Sequence, residues 1–303
     1  MAKSKIFEKT YLFFLAEKVK HQSERVILSL AIVSFIIHLI IIFFVDFKII
    51  STNISGDLLS NPIAAIYTPF SFILLYEVYL LIFYLPKSFT TYIGKQYEII
   101  TLIIIRRLFK DLSNLDLKNN WFDIKYDLQF TYDLVTSIVM FFLIYLFYKL
   151  SKVKADSAVV KANNDNVELS RFIKIKKAIA LILVPLFLVL TFYSFSTWLL
   201  GLFETTQTSN SFNNINNVFF EQFFTVLIFA DVLILLFSFF ITDQFHKVIR
   251  NSGFIISTIL IRISFSTTGV LNDILIVCAI TFGLLIVIIH NQFEKDGQNA
   301  KSS

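Results

Sequence analysis

Apolar runs about twenty residues long, the length a helix needs to cross the hydrocarbon of a bilayer, recur along the whole of this chain. They lie at 26–45, 63–85, 131–148, 178–202, 218–241 and 273–290. Inside a membrane every backbone N–H and C=O must be bonded within the protein, and for isolated runs of this kind that means helices. Two further segments, 93–109 and 252–271, have a suitable length but carry charge: Lys95, Glu98, Arg106 and Arg107 in the first, Arg262 in the second.

Composition agrees with this pattern. Hydrophobic residues make up 56% of the 303 residues, charged residues make up 16%, and the mean hydropathy is +0.72. Soluble chains are about 25% charged, and a single soluble core of this size could not bury so much apolar surface. An ordinary soluble enzyme, a disordered chain and a secreted disulfide scaffold are therefore excluded. Cys278 is the only cysteine, so no intramolecular disulfide forms. The net charge of +5 comes from Lys and Arg that flank the apolar runs, which is the pattern of a topology signal. Nucleic acid is not an expected partner. The expected partners are the lipid bilayer and either a second copy of the chain or another membrane subunit.

The distribution of basic residues sets an orientation. Residues 1–25 carry six Lys/Arg and 149–177 carry eight, whereas 46–62 and 203–217 carry one and none. The positive-inside rule places the first two segments in the cytoplasm, so an even number of crossings separates them. Segments 26–45, 63–85 and 131–148 supply three, and 93–109 then supplies the fourth. The five Lys/Arg of 106–132 argue for the alternative, in which 93–109 re-enters from the cytoplasm or lies flat. The first reading gives about eight spans in a cell (inner) membrane, with both termini cytoplasmic.

Internal similarity points to duplication. Tyr76-Glu77-Val78 matches Ala230-Asp231-Val232, 154 positions later, and Ile99-Ile100-Thr101 with Arg106 matches Ile255-Ile256-Ser257 with Arg262, 156 positions later. The expected fold is an all-α polytopic bundle of two tandem four-span repeats, 26–150 and 174–292. An amphipathic cytoplasmic segment (1–25) precedes them, a cytoplasmic linker (151–173) joins them, and a cytoplasmic tail (293–303), disordered over 294–303, follows. The stretch 6–19 suits one helix that lies in the cytoplasmic interface or packs on the inner face of the bundle. Pro69 and Pro185 fall inside spans and are expected to kink them, while Pro86 reads as a stop.

Charges inside spans are costly and mark paths, relays or internal pairs. Glu77, Asp231 and Arg262 lie deepest, and Arg106 and Arg107 are the partners available to Glu77. These five residues form the candidate site. They are read either as ion pairs, Glu77 with Arg106 or Arg107 and Asp231 with Arg262, or as an ion path. Lys95, Glu98, Leu102 and Arg106 share one helical face, as do Asn251, Ile255, Thr258, Arg262 and Ser266. Such polar stripes require a polar neighbour, a watery cavity or a partner. His38 at mid-span is expected to be neutral and hydrogen-bonded, and His246 and His290 sit at span ends. The chain lacks HExxH, GxSxG and a glycine-rich phosphate loop, and no two histidines have metal-ligand spacing. No catalytic residue, metal or cofactor is expected. The functional expectation is a channel or transporter-like protein that moves an ion or small solute. The alternative is a non-catalytic membrane subunit, scaffold or sensor.

Overall fold

The structure, a computed structural model, describes residues 2–47, 65–112, 125–151, 167–201, 211–241, 244–265, 267 and 269–302. Among these the protein is all-helical. The helices are α1 (Ala2–Leu15), α2 (Glu17–Asp46), α3 (Tyr67–Tyr84), α4 (Phe89–Leu112), α5 (Lys125–Ser151), α6 (Val167–Gly201), α7 (Ser211–Phe239), α8 (Phe245–Ser264) and α9 (Val270–Ser302). Five stretches, within α1–α2, α5, α6, α7 and α9, are long and apolar enough to cross a membrane, and the apolar part of α3 is shorter. Helices α4 and α8 carry the two charged segments noted in the sequence.

The pattern of burial identifies the solvent this fold suits. On α8, Asn251, Ser257, Thr258, Arg262 and Ser264 are buried while Ile256, Leu260 and Ile263 are exposed. On α5, Asp133, Thr136 and Ser137 are buried while Leu134, Val135, Ile138, Phe141 and Phe142 face out. A helix in water turns its polar face outward; here the polarity is inverted. Bilayer hydrocarbon costs an apolar side chain nothing and a polar one several kcal/mol, so polar groups retreat to the interior.

The chain divides into two compact units. The first comprises residues 1–83, 106–117 and 180–226, and the second comprises 84–105, 118–179 and 227–303. In the first unit, α1 and α2 meet at Ala16, whose extended backbone (φ −80°, ψ 151°) separates them. The stretch 6–19, expected as one helix, is therefore two, and residues 17–25 begin the long α2. The Tyr79 hydroxyl donates to the Phe14 carbonyl (3.0 Å) and the Tyr76 hydroxyl to Glu24 Oε2 (3.3 Å), which ties α3 to both. His38 hydrogen-bonds Thr68. In the second unit, α9 packs on α8 and α5. Two glycines make close approach possible. A Cβ on Gly253 would lie 2.7 Å from Ile286 Cγ1, and one on Gly283 would lie 1.9 Å from Tyr97 Oη.

Two further expectations need correction. The tail is not irregular: α9 continues to Ser302. Residues Gln292–Asp296 contain good helix formers and no proline, and extending a helix already formed adds one bond for each residue fixed. Pro69 is the third residue of α3, within the first turn, where its missing N–H has no intrahelical partner to lose. It opens the helix rather than kinking it. Pro185 does lie inside α6. That helix starts at Val167, well ahead of the apolar run at 178–202, so Lys174, Lys176 and Lys177 are helical. The stretches 48–64 and 152–166, together with Asn114 and Ser266, lie outside the described residues.

Candidate functional site

In the second unit, α7 presents Asp231, α8 presents Arg262, and α4 presents Tyr92 and Gln96 to one buried cluster. Arg262 Nη2 stands 2.8 Å from Asp231 Oδ2, with side-chain exposures of 3% and 0%. No N–H of the guanidinium is aligned on Oδ2, so the contact is Coulombic, an attraction that needs no alignment. The aligned donor to the carboxylate is the Tyr92 hydroxyl, 2.7 Å from Oδ1. Arg262 Nη2 donates instead to Gln96 Oε1 at 2.9 Å. The amide thus orients the guanidinium while the phenol orients the carboxylate.

Two donors in this cluster, Arg262 Nη1 and Gln96 Nε2, are buried with no hydrogen-bond partner among the described residues. Buried donors are almost always satisfied, and exceptions call for water or a ligand. An ion pair flanked by two such donors has unused capacity for an acceptor.

Lys176, which the sequence offered only as a topological charge, is buried in the same unit. Its ammonium donates to the Lys87 carbonyl and lies over the rings of Phe89 (4.9 Å) and Phe172 (5.5 Å). Its charge also interacts with that of Asp231. Cation–π contact with two rings helps to hold a desolvated ammonium. Two cations therefore share the neighbourhood of one carboxylate.

Further along α4, Tyr97 Oη and Ser257 Oγ are 2.7 Å apart, and Ser257 donates to the Ala279 carbonyl at 2.6 Å. The Ser257 proton is thereby engaged, so Tyr97 is the donor to Ser257. Gln129 Nε2 donates to Asp133 Oδ1 (2.7 Å) and sits 3.4 Å from Asp273 Oδ2, and both acids are buried. On the exposed side of α4, Glu98 bonds Lys95 (2.7 Å) and the Tyr148 hydroxyl (2.5 Å).

In the first unit, Glu77 of α3 is 6% exposed, and the charge of Arg106 at the far end of α4 acts on it. Arg107, next in sequence, is half-buried in the same unit. The sequence-predicted residues are thus distributed as Glu77, Arg106 and Arg107 in one unit and Asp231 and Arg262 in the other. Sequence reasoning missed Tyr92, Gln96, Lys176, Asp133 and Asp273. For Gln96 the signal was its place on α4 one residue from the Lys95 stripe; for Tyr92 there was none, because a tyrosine in an aromatic-rich chain carries no mark.

No family model, curated protein or solved structure matches the chain. Its function must therefore be argued from its own residues. They belong to a protein that is all-helical among its described residues, with five stretches long and apolar enough to cross a membrane and a buried ion pair.

Proposed function

We propose that this protein moves an ion or small solute across a cell membrane, as a channel or transporter-like protein. It would span the membrane several times with both termini in the cytoplasm. The observation that carries this reading is the Asp231–Arg262 pair, which lies with two unsatisfied donors inside helices clad in apolar side chains. A lipid-facing exterior with a charged, incompletely satisfied interior suits the passage of polar cargo. In this reading Asp231 and Glu77 attract or relay the cargo, and Arg262, Arg106 and Arg107 tune or gate the acids. Duplication of a four-span unit belongs to the same proposal, and no enzymatic step is included in it.

The test is flux in liposomes reconstituted with purified protein. Transport should occur with the native chain and disappear in Glu77→Gln/Asp231→Asn. Unchanged flux in that double variant overturns the acid-path mechanism. The rival reading is a non-catalytic membrane subunit, favoured by the Tyr92 and Gln96 hydrogen bonds that already hold the pair in place. It wins if the liposomes stay tight and the protein purifies with a stoichiometric partner.

A further inference from the structure

A second cluster stands apart from the Asp231 site, where the first turn of α8 meets the last third of α9. His246, His290 and Glu294 each offer one ligand atom there, and the three atoms lie within 4.8 Å of one another. His290 and Glu294 are one helical turn apart on α9, with Nε2 and Oε1 3.3 Å apart. The rings of His246 and His290 stack at 5.1 Å between centroids, with 27° between planes. His290 is 7% exposed, and the ring nitrogen it turns to Glu294 is Nε2.

From this geometry we infer a binding site for a divalent transition-metal ion of the zinc class, held by His246, His290 and Glu294 and bridging α8 to α9. Two imidazoles with one carboxylate suit zinc, nickel or copper and disfavour magnesium and calcium, which prefer all-oxygen shells. Zn–N and Zn–O bonds of about 2.0–2.1 Å place tetrahedral ligand atoms about 3.3–3.4 Å apart. His290 and Glu294 already have that separation. His246 and the half-exposed Glu294 close the remainder by side-chain rotation. Water completes the fourth position from the exposed side of Glu294.

Arg250 gives the site an internal competitor. Its Nη1 lies 3.0 Å from His290 Nε2, while Nε and Nη2 hold Asn251 Oδ1 at 3.3 and 3.1 Å. An ion that takes Nε2 displaces one contact of Arg250 and leaves the two to Asn251. The site therefore has a predictable asymmetry: removing a ligand weakens binding, and removing the guanidinium strengthens it.

The experiment uses the full chain in detergent or nanodiscs, purified without a polyhistidine tag and stripped with chelator. Zn²⁺ is titrated by calorimetry, and Co²⁺ is added as a spectroscopic probe. One ion per chain is expected, with visible Co²⁺ bands of a four-coordinate nitrogen–oxygen site. His246→Ala and His290→Ala should each weaken binding at least tenfold, Glu294→Gln should weaken it less, and Arg250→Gln should tighten it several-fold. No binding by the native chain overturns the inference, as does binding that both histidine variants leave unchanged. If the buried His290 variant fails to fold, Glu294→Gln, on a half-exposed residue, decides with His246→Ala, and unchanged affinity in both is again fatal.

Discussion

Arg262 and Asp231 meet at 2.8 Å with both side chains buried. The pair is secured from both sides, by Gln96 on the guanidinium and Tyr92 on the carboxylate. A desolvated pair of this kind adds little net stability over an apolar replacement, but leaving one charge alone is severe. Asp231→Asn and Arg262→Gln should each destabilise the protein by about 3–5 kcal/mol. The double variant should recover a large part of that loss. Unfolding in mixed detergent micelles checks this, and strictly additive losses would show that the two charges are not coupled.

The Tyr92 hydroxyl bonds a carboxylate, whereas the Tyr97 hydroxyl bonds a serine. Hydrogen bonds to charged groups contribute about 1.5–3 kcal/mol and neutral ones about 0.5–1.5 kcal/mol. Tyr92→Phe should therefore cost more than Tyr97→Phe in the same unfolding assay, although both rings are fully buried.

Gly283 admits the Tyr97 hydroxyl where a methyl group would stand 1.9 Å from it. Overpacking of this kind costs about 1–3 kcal/mol, so Gly283→Ala should lower stability within that range. Tyr97→Phe removes the clashing oxygen. Added to Gly283→Ala, it should restore part of the loss, and a further decrease instead would mean that the contact is not the cause.

Topology is open to labelling. In a Cys278→Ser background, a membrane-impermeant thiol reagent applied to intact cells should modify Asn114→Cys. It should reach Asn163→Cys only after the membrane is permeabilised. Modification of Asn163→Cys in intact cells would place the linker outside and reverse the orientation drawn from the basic residues.

Much of the fold was legible because lipid imposes a one-dimensional rule. Backbone groups must be bonded locally, so an apolar run of sufficient length becomes a helix whatever its neighbours do. The runs at 131–148 and 273–290 lie within α5 and α9, and the run at 218–241 overruns the end of α7 at Phe239 by two residues. The stripe Asn251, Ile255, Thr258, Arg262 could be placed on one face from its spacing, and its four residues are buried together. Helix ends were less legible, because α6 and α9 continue through charged residues that apolar runs do not include. Continuation depends on propensity and on anchors such as the Asn291–Leu150 hydrogen bond (2.6 Å), which comes from a distant helix.

By itself the sequence determined the class of molecule, the helical segments and the burial of Glu77, Asp231 and Arg262, though not that of Asp133 and Asp273. Only tertiary structure decided their company: Tyr92 and Gln96 on Asp231 and Arg262, Lys176 between two rings, and His246 against His290 from 44 positions away. The physical reason is one of range. Hydropathy and backbone bonding act within a segment and leave a periodic trace in it. Hydrogen bonds and ion pairs between helices depend on which faces meet, and one chain's order of residues does not record that meeting.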